Sequence, residues 1–174
     1  MKILVIEDKQ IHQDSARETL AGHDVTIVGS FDEAKEVLSL SRSFDFDVVL
    51  TDMMIPVSAR WVRRKDGFDP STLVPYGFIF ALRAAERGAK YIALLTDTNH
   101  HQGAMSNALD MIDRAGYYSE GLRMTARFNI NGAKCVFVHA PYVKEAGEAE
   151  APSMDGRKDW GRVLNDLMAD QNNL

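Results

Sequence analysis

The segment Asp47-Val48-Val49-Leu50-Thr51-Asp52-Met53-Met54-Ile55-Pro56 constrains this chain more than any other, because an unbroken apolar run stops abruptly on an acid. Val48, Val49 and Leu50 show no polar alternation, which suits a strand covered on both faces, as in a parallel sheet. Asp52 then falls at the carboxyl end of that strand, where open α/β sheets gather their ligands. Taken alone, the acid is equally a turn residue that closes the strand. A second apolar run, Lys2-Ile3-Leu4-Val5-Ile6, ends on Glu7-Asp8 and brings three acids to one sheet edge. Like charges at close range repel, and a divalent cation that takes oxygen ligands, as Mg²⁺ does, relieves them. Beside such an ion a carboxylate can act as a nucleophile toward phosphorus.

Ile6-Glu7-Asp8, then Asp52-Met53-Met54-Ile55-Pro56, then Leu94-Leu95-Thr96 occur in this order, each after an apolar run. In this the chain through Thr96 resembles the receiver domain of bacterial two-component response regulators. The resemblance implies that Asp52 is the phosphoacceptor and that Glu7, Asp8, Asp52 and the backbone carbonyl of Met54 hold Mg²⁺. It also implies that the Thr96 hydroxyl contacts the phosphoryl group. The expected fold is α/β: a doubly wound, five-stranded parallel sheet in the flavodoxin-like order 2-1-3-4-5, with helices on both faces. The implied partners are a sensor histidine kinase or a phosphotransfer protein, and the implied role is signalling rather than enzymatic.

The alternation of strand and helix supports that architecture. After the first strand a helix is expected from Gln10 to Ala21, stopped by Gly22, then a strand over Val25 to Val28. Ser30 with Glu33 three residues on forms a capping box for a helix with Ala34, Val37, Leu38 and Ser41 on one face. From Gly77 the pattern is helical again, with Phe78, Ile79, Leu82 and Ala85 predicted to face inward. Tyr91 to Leu95 is the strand that delivers Thr96 to the same edge as Asp52. A further helix is expected over Gln102 to Arg114.

Three departures separate the chain from the family it resembles. The first is an insertion over about 57–76, where Arg60-Trp61-Val62-Arg63-Arg64-Lys65 precedes the turn signal Asp66-Gly67. It is either a solvated hairpin or a source of an arginine for phosphoryl oxygens, which guanidinium forks suit. The second lies over about 117–134, where Asn131-Gly132 between Arg127-Phe128-Asn129-Ile130 and Cys135-Val136-Phe137-Val138 predicts a two-residue hairpin. That hairpin adds an antiparallel strand at the sheet edge, and it either protects the edge or reshapes an output surface. The third concerns the lysine that receivers place before a proline at the end of the last parallel strand. Phe137-Val138-His139-Ala140-Pro141 contains none. A protonated His139 or an insertion arginine is left to supply the cation, and Phe137 falls on the family's aromatic switch position.

Asp97, where the family prefers a very small residue, either caps a helix or adds a charge that opposes phosphorylation. His100-His101 lack metal-ligand spacing, and Cys135 reads as a small buried hydrophobe. Residues 142–174 are expected to form a linker, Val143 to Gly156, and a last helix, Asp159 to Gln171, completing one domain with residues 1–141. In that helix Trp160, Val163, Leu164, Leu167 and Met168 recur at helical spacing, with Trp160 as a core anchor.

A hydrophobic share of 45% and a charged share of 26% exclude wholesale disorder. The net charge of −5 argues against general nucleic-acid binding. No apolar run reaches the ~20 residues that span a bilayer and no signal peptide precedes the first strand, so a cytoplasmic protein is expected. Output must then pass through a separate protein, and a homodimer stays open. The competing reading is a pseudo-receiver, a protein-binding module that works without phosphate. A haloacid-dehalogenase-like phosphatase would need an aspartate where Met54 stands, and Glu7-Asp8 would repel a flavin phosphate.

Overall fold

A computed structural model describes residues 1–40, 43–58, 60, 69, 71–97, 125–143 and 156–169. The apolar runs become strands because they have helices on both sides. In chain order the elements are β1 (Lys2–Ile6), α1 (Gln10–Thr19), β2 (Asp24–Val28), α2 (Phe31–Val37), β3 (Val48–Asp52), β4 (Ile55–Pro56), β5 (Leu73–Val74), α3 (Tyr76–Glu86), β6 (Tyr91–Thr96), β7 (Thr125–Ile130), β8 (Ala133–His139) and α4 (Trp160–Ala169). Six strands form one sheet in the order β2-β1-β3-β6-β8-β7. The first five of these run parallel, and β7 pairs antiparallel with β8 at the edge. This is the doubly wound α/β sheet expected from the sequence, extra edge strand included.

Alternate residues of each strand feed two cores. Leu4, Ile6, Val49, Ile92, Leu94, Cys135 and Phe137 pack with Ala34 and Leu38 from the α2 region and with Phe80, Ala81, Ala84 and Ala85 of α3. Ile3, Val5, Val48, Leu50, Ala93, Leu95, Val136 and Val138 face the other way, onto Ala16 of α1 and Trp160, Val163, Leu164 and Leu167 of α4. With both faces covered, the strands need no polar alternation, which is why β3 is an unbroken apolar run.

Local signals hold where they are strong. Ser30 Oγ accepts from Glu33 N–H while the Glu33 carboxylate accepts from Gly29 N–H at 2.8 Å, so the box reaches one residue further back than the usual reciprocal bond. Asn131 and Gly132 take φ values of 49° and 84°, the two left-handed positions of a type I′ turn.

The inward face of α3 corrects the sequence reading. Ile79 and Leu82 are exposed, whereas Gly77, Phe80, Ala81, Ala84 and Ala85 are buried. The small alanines let the helix lie close to the sheet, and Gly77 fixes its rotation: its N–H donates to the Met53 carbonyl at 3.0 Å, and a Cβ there would lie 2.7 Å from Met53 Cα. β5, within the first insertion, pairs antiparallel with β4 just before it, Ile55 opposite Val74. The Asp66-Gly67 turn, Arg63, Arg64, His100-His101 and the helix expected over Gln102 to Arg114 lie outside the described residues. No helix among the described residues is long and apolar enough to cross a membrane.

Gly77→Ala is expected to destabilise the fold by about 2 kcal/mol, because the added methyl meets backbone rather than a side chain that can yield. Urea unfolding measures it.

Candidate functional site

β1 and β3 are neighbours, with Ile6 opposite Thr51, so the residues that follow them emerge side by side. Glu7 and Asp52 are buried and Asp8 is half-buried. Each offers one carboxylate oxygen, and these three atoms lie within 4.8 Å of one another. β6 runs along the other side of β3 and ends on Thr96, itself buried, with His139 of β8 opposite it in register. Met54 is half-buried two residues beyond Asp52.

The cation beside Asp52 comes from a place the sequence reading did not consider. Lys158 Nζ lies 2.7 Å from Glu7 Oε2 and 3.1 Å from Asp52 Oδ1, with its side chain fully buried. The expectation that the cation comes from His139 or the insertion thus passes over the residue that ion-pairs with Asp52. Backbone pairing explains how a residue so late in the chain arrives there. After β8, Tyr142 forms an antiparallel bridge with Lys158, Val143 N–H donates to the Arg157 carbonyl at 2.8 Å, and Asp159 N–H donates to the Pro141 carbonyl at 2.6 Å. The returning segment therefore sets Lys158 opposite Tyr142, just past the end of β8. Residues 144–155, most of the expected linker, lie outside the described residues; the flanking Val143 and Arg157 are hydrogen-bonded to each other.

α1 holds the Lys158 backbone. Ser15 Oγ donates to the Lys158 carbonyl at 2.6 Å, and Lys158 N–H donates to His12 Nδ1 at 3.3 Å. The buried Trp160 indole donates to the His12 carbonyl at 3.0 Å. Because His12 accepts at Nδ1, its ring proton sits on Nε2, which faces Asp97 Oδ2 at 3.4 Å. Lys9 Nζ reaches the same oxygen at 2.6 Å. Asp97, just after β6, is therefore tied to the loop after β1 through Lys9 and to α1 through His12.

Burial and charge act against each other throughout. Burial pushes the Glu7 carboxyl up to about 7, opposed by the Lys158 ammonium and reinforced by Asp52. Asp52 is also raised, by burial first; Lys158 opposes this, while Asp97 and Asp8 add to it. For Lys158, burial works against the charge, but Asp52, Glu7 and Asp97 outweigh it and hold the ammonium well above its ordinary value. In Asp97 the order reverses: burial would raise it, yet His12, Lys158 and Lys9 together hold it far below the usual carboxylate range. Lys158 thus stays charged, while Glu7 and Asp52 are shifted upward because burial and neighbouring acids together outweigh what one ammonium offsets.

That imbalance is the test of whether a divalent cation suits the residues present. Three carboxyl groups converge on one lysine, and Asp8 Oδ1 is buried without a hydrogen-bond partner. An all-oxygen donor set of this kind fits Mg²⁺ or another hard cation. The one signal for Lys158 in the sequence was indirect: it precedes by two residues the tryptophan that anchors α4.

No family model matches the chain, and no curated protein matches it. Among solved structures, it is similar to the N-terminal domain of a response regulator/sensory box/GGDEF 3-domain protein from Carboxydothermus hydrogenoformans, at 18% identity, covering 61% of this chain and 72% of that one with a TM-score of 0.39. At that level the likeness carries no functional weight.

Two outcomes follow from the charge balance. Lys158→Met strands two buried acids and is expected to cost about 3 kcal/mol at pH 8, and less at pH 5, where those acids take up protons. Unfolding Glu7 returns its carboxyl from about 7 to 4.5, so the unfolded chain holds fewer protons between those values and wild-type stability falls as pH rises. Denaturation of wild type and Glu7→Gln in parallel, without divalent ions, should show their difference shifting against wild type by about 1 kcal/mol per pH unit across that window.

Proposed function

We propose that this chain is a receiver that accepts a phosphoryl group on Asp52. The observation that carries this reading is the convergence of Glu7, Asp8 and Asp52 on one point beside a buried, charged lysine. An Asp52 carboxylate oxygen attacks phosphorus; an O–P bond forms as the donor's bond to phosphorus breaks, and the leaving group departs with that electron pair. Lys158 Nζ, held charged, neutralises the carboxylate before transfer and faces the phosphoryl oxygens after it. Thr96, at the adjacent strand end, has the hydroxyl to donate to the same oxygens. Glu7, Asp8, Asp52 and the Met54 carbonyl would hold Mg²⁺, which when bound supplies positive charge to the phosphoryl group.

The donor on this reading is a sensor histidine kinase, a phosphotransfer protein or a small phosphodonor, and the module acts in the cytoplasm through a separate output protein. One observation favours the second reading, a pseudo-receiver that binds partners without phosphate. Asp52 is 1% exposed and already ion-paired with Lys158, so the acid can serve as a structural counter-charge.

Incubation with Mg²⁺ and acetyl phosphate, followed by intact-mass measurement, separates the two. A receiver gains one phosphoryl group, loses that gain in Asp52→Asn, and loses it when the divalent ion is chelated. An unchanged mass under all conditions leaves the pseudo-receiver.

A further inference from the structure

The contacts of Lys158 say more than that a cation is present. Its ammonium is shared between two acids, closer to Glu7 than to Asp52. Negative charge added at Asp52 pulls Nζ toward that side, and in a buried site the pull is weakly screened. The Lys158 main chain cannot absorb that movement alone. It is tied to α1 through His12 and Ser15 and to Pro141-Tyr142 through the antiparallel bridge. Trp160 and Gly161 then lock the start of α4 against the same helix: the indole donates to the His12 carbonyl, and Gly161 N–H donates to Thr19 Oγ1 at 3.2 Å. A Cβ on Gly161 would overlap the Thr19 carbonyl oxygen, so the two helices meet there backbone to backbone. On the other side of the pocket, Phe137 is buried and stacked on Phe78 with centroids 5.8 Å apart, and β7 covers the outer edge of β8. That side is packed from both directions.

We propose that α4 registers the phosphorylation state of Asp52 through Lys158, so that the state is read on the surface where α4 meets α1 rather than at the β8 edge. The inference rests on the receiver reading and adds to it the element that moves. Added charge at Asp52 draws Lys158 in and tightens the 157–161 segment on α1. By reciprocity, whatever loosens α4 from α1 weakens the hold of the pocket on a phosphoryl group.

Hydrogen exchange of the full chain, read by mass spectrometry with and without Mg²⁺ and beryllofluoride as phosphoryl mimic, tests this. Amides of residues 157–169 should exchange about fivefold slower with the mimic, while those of 133–138 keep their rates. Gly161→Ala, which crowds α4 against Thr19 away from the acids, should weaken beryllofluoride binding about fivefold. If that variant does not fold, Ser15→Ala, which only removes the donor to the Lys158 carbonyl, makes the same comparison. Acetyl phosphate labelling of the same sample keeps the two claims apart. A phosphoryl gain with unchanged exchange at 157–169, or full mimic affinity in the folded variant, overturns the coupling and leaves the receiver standing. No phosphoryl gain together with no response to the mimic overturns both.

Discussion

A single ammonium set among buried carboxylates is the constraint on which the rest of this molecule depends. Glu7 and Asp52 are placed by two parallel strands whose own apolar residues could not be more ordinary, and two such acids would be costly to bury alone. Lys158 makes their burial tolerable, and the parts of the chain that look peripheral serve to bring it in. The strand returning past Tyr142, the polar contacts of His12 and Ser15, and the indole of Trp160 all fix one backbone position. The ammonium is outnumbered: Glu7, Asp8 and Asp52 offer three carboxylate oxygens within 4.8 Å of one another.

The same logic accounts for Asp97. From the sequence it was either a helix cap or an added negative charge at the rim. In the structure, Lys9 from the loop after β1 and His12 from α1 meet it, so its charge is answered locally and ties the end of β6 to both. Its effect on Asp52 persists, but as one contribution among several.

Much of this was legible in the sequence, for reasons that can be given residue by residue. β1, β3 and β6 are apolar without alternation because helices cover both their faces, and a polar residue, Glu7, Asp52 or Thr96, ends or follows each at the sheet's carboxyl edge. Asn131-Gly132 specifies its hairpin because only left-handed backbone closes a two-residue turn there. What was not legible depended on distance. Lys158 belongs to no motif with the residues it touches, and its role arises from a backbone pairing with Tyr142 that leaves no local trace. The α3 face was misread because Ile79 and Leu82 are more hydrophobic than Ala81 and Ala84, while close approach at Gly77 chose the smaller side chains.

The antiparallel bridge between Tyr142 and Lys158 also has a consequence in time. Glu7 and Lys158 are 151 positions apart, so during synthesis the acids leave the ribosome long before their counter-ion exists. Until Lys158 is made, the nascent sheet carries its acids without that counter-ion, and they are drawn toward their protonated forms. Closure of so long a loop is slow in entropic terms, which makes completion of the pocket a late event in folding. A chain made only as far as β8 has its strands but not Lys158, so the buried acids gain their counter-ion only when residues 157–159 pair with Pro141 to Val143.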